Sequence, residues 1–176
     1  MTRRTFPSTV ATLLLAAIAL PTGNAMAQEK QHVSYKSPAE NAKYTQQTIL
    51  DVGDAPGHQV RLFEIHRTYP ANQPVVAGLK LVEQWTRGSS DYVDNNGTSV
   101  TYGVYVFDNG DKFFTRSSLV AQSPGPGKLN NLVVGNITGG TGKLAAIQGV
   151  VRSTGSAEPK AGVNENQTDI DYWFNK

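Results

Sequence analysis

Beyond residue 46 the chain is cut into eight extended runs by turn-forming residues, and no window in it sustains a helical period. The runs cover residues 47–52, 59–67, 75–87, 98–107, 111–121, 129–138, 143–152 and 167–175. Segments such as Gly53-Asp54-Ala55-Pro56-Gly57 and Ser123-Pro124-Gly125-Pro126-Gly127 separate them, built from residues that tolerate positive φ or preset a turn. Asp108-Asn109-Gly110, between Tyr102–Phe107 and Phe113–Thr115, is the strongest hairpin signal. The pattern predicts an all-β domain. Eight sequential antiparallel strands favour an eight-stranded antiparallel β-barrel, whose closure removes exposed edges and leaves an interior for side chains or one small ligand. A two-sheet sandwich fits the same strand count.

The 176 residues suffice for one domain with its own core, residues 47–176. The absence of cysteine excludes disulfides, thiolate zinc sites, iron–sulfur clusters and cysteine nucleophiles. Residues 1–27 read as an export signal: Arg3 and Arg4 precede an apolar run from Val10 to Leu20 that is too short to span a bilayer, and Ala25-Met26-Ala27 suits a signal peptidase. Cleavage after Ala27 would deliver the chain to a periplasmic or secreted location, by a Sec or twin-arginine route, with no membrane anchor left. Taking Arg3 and Arg4 from 16 Lys plus Arg leaves 14 against 14 Asp plus Glu. A neutral chain without a basic stripe argues against nucleic acid and anionic membranes as partners. Residues 28–46 are polar and aperiodic, and read as a loose arm.

Gly135-Asn136-Ile137-Thr138-Gly139-Gly140-Thr141-Gly142-Lys143-Leu144-Ala145-Ala146-Ile147-Gln148-Gly149 resembles the signature of the allene oxide cyclase and dirigent barrels. Leu62-Phe63-Glu64-Ile65-His66 is similar to the first barrel strand of the cyclase branch. Tyr102 to Gly110 resembles its aromatic strand and following hairpin, and Asp171-Tyr172-Trp173-Phe174 its last strand. The matches run in order over most of residues 59–175. The resemblance implies an eight-stranded barrel with an elongated apolar cavity, often assembled as a homotrimer, acting on lipid-like or aromatic small molecules. The glycine-rich turn itself reads as structural, since Ile137 and Leu144 stand where a phosphate-binding loop needs Gly and Ser or Thr.

Strand alternation puts Leu62, Glu64 and His66 on one face and Arg61, Phe63, Ile65 and Arg67 on the other. Composition alone places Phe63 and Ile65 inside and leaves Glu64 a solvated acid. The resemblance instead turns Glu64 into the cavity, with neighbouring subunits covering the apolar outer face, and this second placement is preferred here. Glu64 would then serve as general acid, base or cation stabiliser, with His66 as its proton partner. The same parity assigns Lys80, Arg116 and Ser118 to the ligand, and Tyr102 and Tyr105 offer aromatic contact. His66 stands where the cyclase pattern has Asn, and the family's cavity cysteine and tyrosine have no counterparts. Neither a metal nor an organic cofactor is expected: His32, His58 and His66 are too scattered for a zinc pattern, and a dinucleotide-binding fingerprint is absent. The expected function is a cofactor-free cyclisation, isomerisation or elimination on a hydrophobic or aromatic small molecule. The alternative is a lipocalin-like carrier.

Overall fold

The computed structural model describes residues 29–174, so the export signal lies outside the described residues. Ten strands make up almost all of it: β1 (Gln31–Ser37), β2 (Ala42–Asp51), β3 (His58–Thr68), β4 (Val75–Val76), β5 (Leu79–Val93), β6 (Asn96–Phe107), β7 (Lys112–Gly125), β8 (Lys128–Gly140), β9 (Ile147–Glu158) and β10 (Val163–Phe174). The described helices are three single 3-10 turns, at Ala39–Asn41, Gly142–Leu144 and Pro159–Ala161. The all-β fold read from the turns is present. Most strands outrun the lengths read from alternation because positions near the loops pair without carrying apolar side chains.

All pairings are antiparallel, and the ladder runs β1-β10-β9-β8-β7-β6-β5-β3-β2, with β4 attached to β5. Long strands with right-handed twist coil, and here side chains from β2, β3 and β5 to β10 converge on one interior. Two sequence expectations change at the ends of this ladder. Residues 31–46 are not a loose arm: β1 pairs with β10 from Gln31↔Tyr172 to Ser37↔Asn166, and β2 pairs with β3 from Ala42↔Arg67 to Asp51↔Gln59. Nor does the ladder close, since β1 and β2 are its two ends. The N-terminal segment serves one edge of the curled sheet, turns at Ala39–Asn41, and then serves the other. At this seam the Asn164 side-chain amide donates to the Tyr44 hydroxyl at 3.2 Å. The segment was unreadable as strand because its edge position leaves β2 mostly exposed on both faces, which removes the alternation.

The interior is filled unevenly. One end is a packed floor where Leu81, Phe107, Phe113, Leu144, Ile147 and Ile170 are fully buried in one apolar cluster. Tyr105 stacks on Phe113 with ring centroids 4.3 Å apart, and Phe107 lies 5.6 Å from the same ring. The glycine-rich turn caps this floor. Gly142 has φ +53, and a Cβ there would strike the Asp111 carboxylate, which accepts from the Lys143 backbone N–H at 2.9 Å. The predicted hairpin forms beside it, with the Gly110 N–H donating to the Phe107 carbonyl at 2.9 Å. A smaller cluster of Tyr92, Ala121, Leu129 and Ala157 gathers toward the other end.

Candidate functional site: the hollow of the barrel

Between the two clusters lies a cavity of about 100 Å³. It meets a wider cleft of about 670 Å³, framed by the β5–β6 and β7–β8 loops, with Arg61, Ser90, Tyr92 and Pro159 lining both. The inward face of β3 supplies Arg61, Phe63, Ile65 and Arg67 in alternation. Facing strands supply hydroxyls and amides, among them Thr86, Thr101, Thr115, Ser117, Asn131 and Asn164. Gly103 also lines the hollow, and a Cβ there would collide with the Thr115 hydroxyl, so the glycine allows β6 and β7 this approach.

Arg67 is 4% exposed. One guanidinium nitrogen donates to Thr86 Oγ1 at 3.1 Å and another to Asn164 Oδ1, while Nε is buried without a hydrogen-bond partner. Among the described residues Arg61 donates one side-chain hydrogen bond, to Gln47 Oε1 at 3.5 Å, and its Nε is likewise buried and unpartnered there. Around them sit phenols whose burial pushes their ionisation up: Tyr92 to about 12, with Tyr105, Tyr44 and Tyr35 raised as well. These tyrosines stay neutral at ordinary pH. They can donate or accept a hydrogen bond but cannot act as bases.

The candidate site residues read from the sequence fall mostly on the other side of the wall. Glu64 does not line the cavity. Its carboxylate accepts from Thr45 Oγ1 and from Arg87 Nε, both at 2.6 Å, on the outer face. The Thr45 hydrogen bond first, then Arg87, hold its ionisation below the ordinary 4.5, so it remains a carboxylate at neutral pH. His66 is also on the outer face, stacked on Trp85 at 4.0 Å between centroids, with Nε2 3.4 Å from the Glu83 carboxylate. Glu64 and His66 are not coupled by any described hydrogen bond. Lys80, Arg116 and Ser118 are exposed outside, and Tyr102, 54% exposed, pairs across the strands with Arg116. Tyr105, from the same list, does line the hollow.

The reversal has a simple cause. Parity fixed which residues share a face, and the curl of the sheet put the face bearing Phe63 and Ile65 inside, as their hydrophobicity alone demanded. Arg61 and Arg67 travelled inward with them. Sequence reasoning passed over these two, though a signal was present: cations at both ends of an otherwise apolar strand face.

No protein-family model matches the chain, and no curated protein matches it. Among solved structures, a pyocyanin demethylase is similar over 81% of this chain and 99% of its own, at 15% identity and a TM-score of 0.41. So distant a likeness says nothing of this chain's chemistry.

Proposed function

We propose that this protein is a barrel-type binder of a small molecule, a carrier rather than a catalyst. One observation carries the reading: the middle of the interior is hollow and lined by hydroxyls, amides and a short apolar stripe, where a purely structural barrel would be filled with aliphatic side chains. The acid that a cofactor-free cyclisation would use, Glu64, is on the outside in an ion pair, and the cavity wall contains no carboxylate among its described residues. The tyrosines that do face inward are held neutral. This favours holding a guest over transferring its protons. The resemblance to the allene oxide cyclase and dirigent barrels is consistent with the architecture and with a guest of modest size. The export signal read from the sequence of residues 1–27 would place that action outside the cytoplasm. Exposed Leu62, Val120, Leu132 and Val134 on the outer wall support assembly of several copies, a trimer being the form implied by that resemblance.

The test is uptake of the neutral dye N-phenyl-1-naphthylamine. Saturable fluorescence enhancement is expected in the unaltered protein and its loss in Val133→Trp, whose indole would occupy the hollow, with the β circular dichroism retained. Absence of uptake, or equal uptake by the filled variant, would overturn the proposal.

A further inference from the structure

We infer that the guest is an anion, a molecule with an apolar body and a carboxylate or similar acidic group, anchored by Arg67 and met at the inlet by Arg61. The inference rests on the binding reading above and names the class of ligand for that cavity.

Arg61 and Arg67 are the charged residues among the described lining of the hollow, and both are cations. Neither forms a described ion pair: the described salt bridges, including Glu64 with Arg87, Lys128 with Glu158 and Arg152 with Asp171, involve other residues. A buried cation without a counter-charge is costly, and such charges are ordinarily paired. Proteins do not relieve this by deprotonating a guanidinium. Thr86 and Asn164 engage two of the five N–H groups of Arg67, and Asn166, with its side-chain amide oxygen turned toward the guanidinium, accepts a third at 2.8 Å, leaving two for another acceptor, one of them on the buried, unpartnered Nε. The surrounding tyrosines supply no negative charge, because burial holds them as phenols. The interior therefore lacks the anion its cations require, and a bound carboxylate would provide it with charge-assisted hydrogen bonds.

Geometry sets the shape of the guest. Arg61 and Arg67 lie six residues apart on one strand face, about 20 Å along β3 at ordinary strand rise. Phe63 and Ile65 lie between them on that face, an apolar track leading from inlet to anchor. Arg61 lines both the inner hollow and the outer cleft, so it is placed to attract an incoming anion and then to flank the outer end of the guest. A dry amphiphile with its acid at Arg67 and its body along Phe63 and Ile65 satisfies both ends of this arrangement.

The experiment compares 1-naphthoate with its methyl ester, two probes that differ in charge and share a ring system, by titration calorimetry on the unaltered protein, Arg67→Met and Arg61→Met. Naphthoate is expected to bind the unaltered protein about tenfold or more tightly than the ester. Arg67→Met should remove that preference and leave ester binding in place, and Arg61→Met should weaken naphthoate binding by a smaller factor. Equal binding of acid and ester by the unaltered protein would overturn the anion inference and leave small-molecule binding standing. Failure of both probes to bind would overturn both. Should Arg67→Met not fold, the acid-to-ester ratio of the unaltered protein and the Arg61→Met titration decide the matter.

Discussion

The two halves of the barrel interior obey the same strand alternation and reach opposite outcomes. At the floor, inward positions carry Leu81, Phe107, Phe113 and Ile147, and the lumen fills completely. A few residues away on β3, β6 and β7, inward positions carry Arg67, Gly103, Thr115 and Ser117, and the lumen stays open. Alternation decides which side chains point in, whereas side-chain volume and polarity decide whether what they enclose is solid. The floor is thus where stability resides, and the hollow is where it is yielded for the sake of a guest.

The contrast can be broken most forcefully at the floor. Phe113→Ala removes a fully buried ring that Tyr105 and Phe107 both pack against, and should cost about 3–5 kcal/mol, a fall in melting temperature on the order of 10 °C. A loss below about 1 kcal/mol by urea denaturation would mean the floor is less solid than its packing indicates. In the hollow the sign should reverse. Arg67→Met replaces a buried, unpaired charge with an apolar chain of similar length, and should stabilise the unliganded protein by about 1 kcal/mol. Destabilisation of comparable size would show that Thr86, Asn164 and Asn166 satisfy the guanidinium fully.

Smaller effects come from the rim and the outer wall. His58 lies between Asp91, at 2.7 Å from Nε2, and Asp54, at 2.5 Å from Nδ1, and these hydrogen bonds, with Asp91 the larger influence, raise its ionisation above the ordinary 6.5. A histidine raised in the folded state contributes stability that is complete below 6.5 and fades as pH climbs through the higher folded value. Thermal melts should therefore show a decline above pH 6.5 that His58→Gln lacks. Glu64 behaves in the opposite sense. Its lowered ionisation contributes stability above 4.5 that disappears as pH falls through the folded value, so Glu64→Gln should flatten the acid side of the melting profile. Naphthoate binding at neutral pH should be unchanged in that variant. A weakened titration there would return Glu64 to the binding site and undo the contrast between the inner and outer faces of β3.

Much of the architecture could be read from turn residues, because Asp108-Asn109-Gly110 or Ser123 to Gly127 act locally and need no knowledge of the rest. The N-terminal tie was missed because β1 and β2 are held by partners more than a hundred residues away in one case, at β10, and leave no pattern of their own. The site was half legible. Arg61, Phe63, Ile65 and Arg67 were correctly grouped on one face of β3, and the hydrophobicity of the middle pair pointed that face inward. Resemblance pointed Glu64 inward instead. A carboxylate with Thr45 and Arg87 beside it is content outside, and those partners come from β2 and β5, invisible in the strand itself.

The amino-acid order settled the strands, the turns between them and the partition of each strand into two faces, all of which depend on neighbours a few positions apart. Hydrophobicity also pointed the Phe63 and Ile65 face of β3 inward, but the order did not settle that one short segment would serve both edges, or that two guanidiniums would share an interior without an acid. Those outcomes depend on how far the whole sheet coils and which distant side chains meet across it, a balance of burial and desolvation that exists only once the sheet has curled.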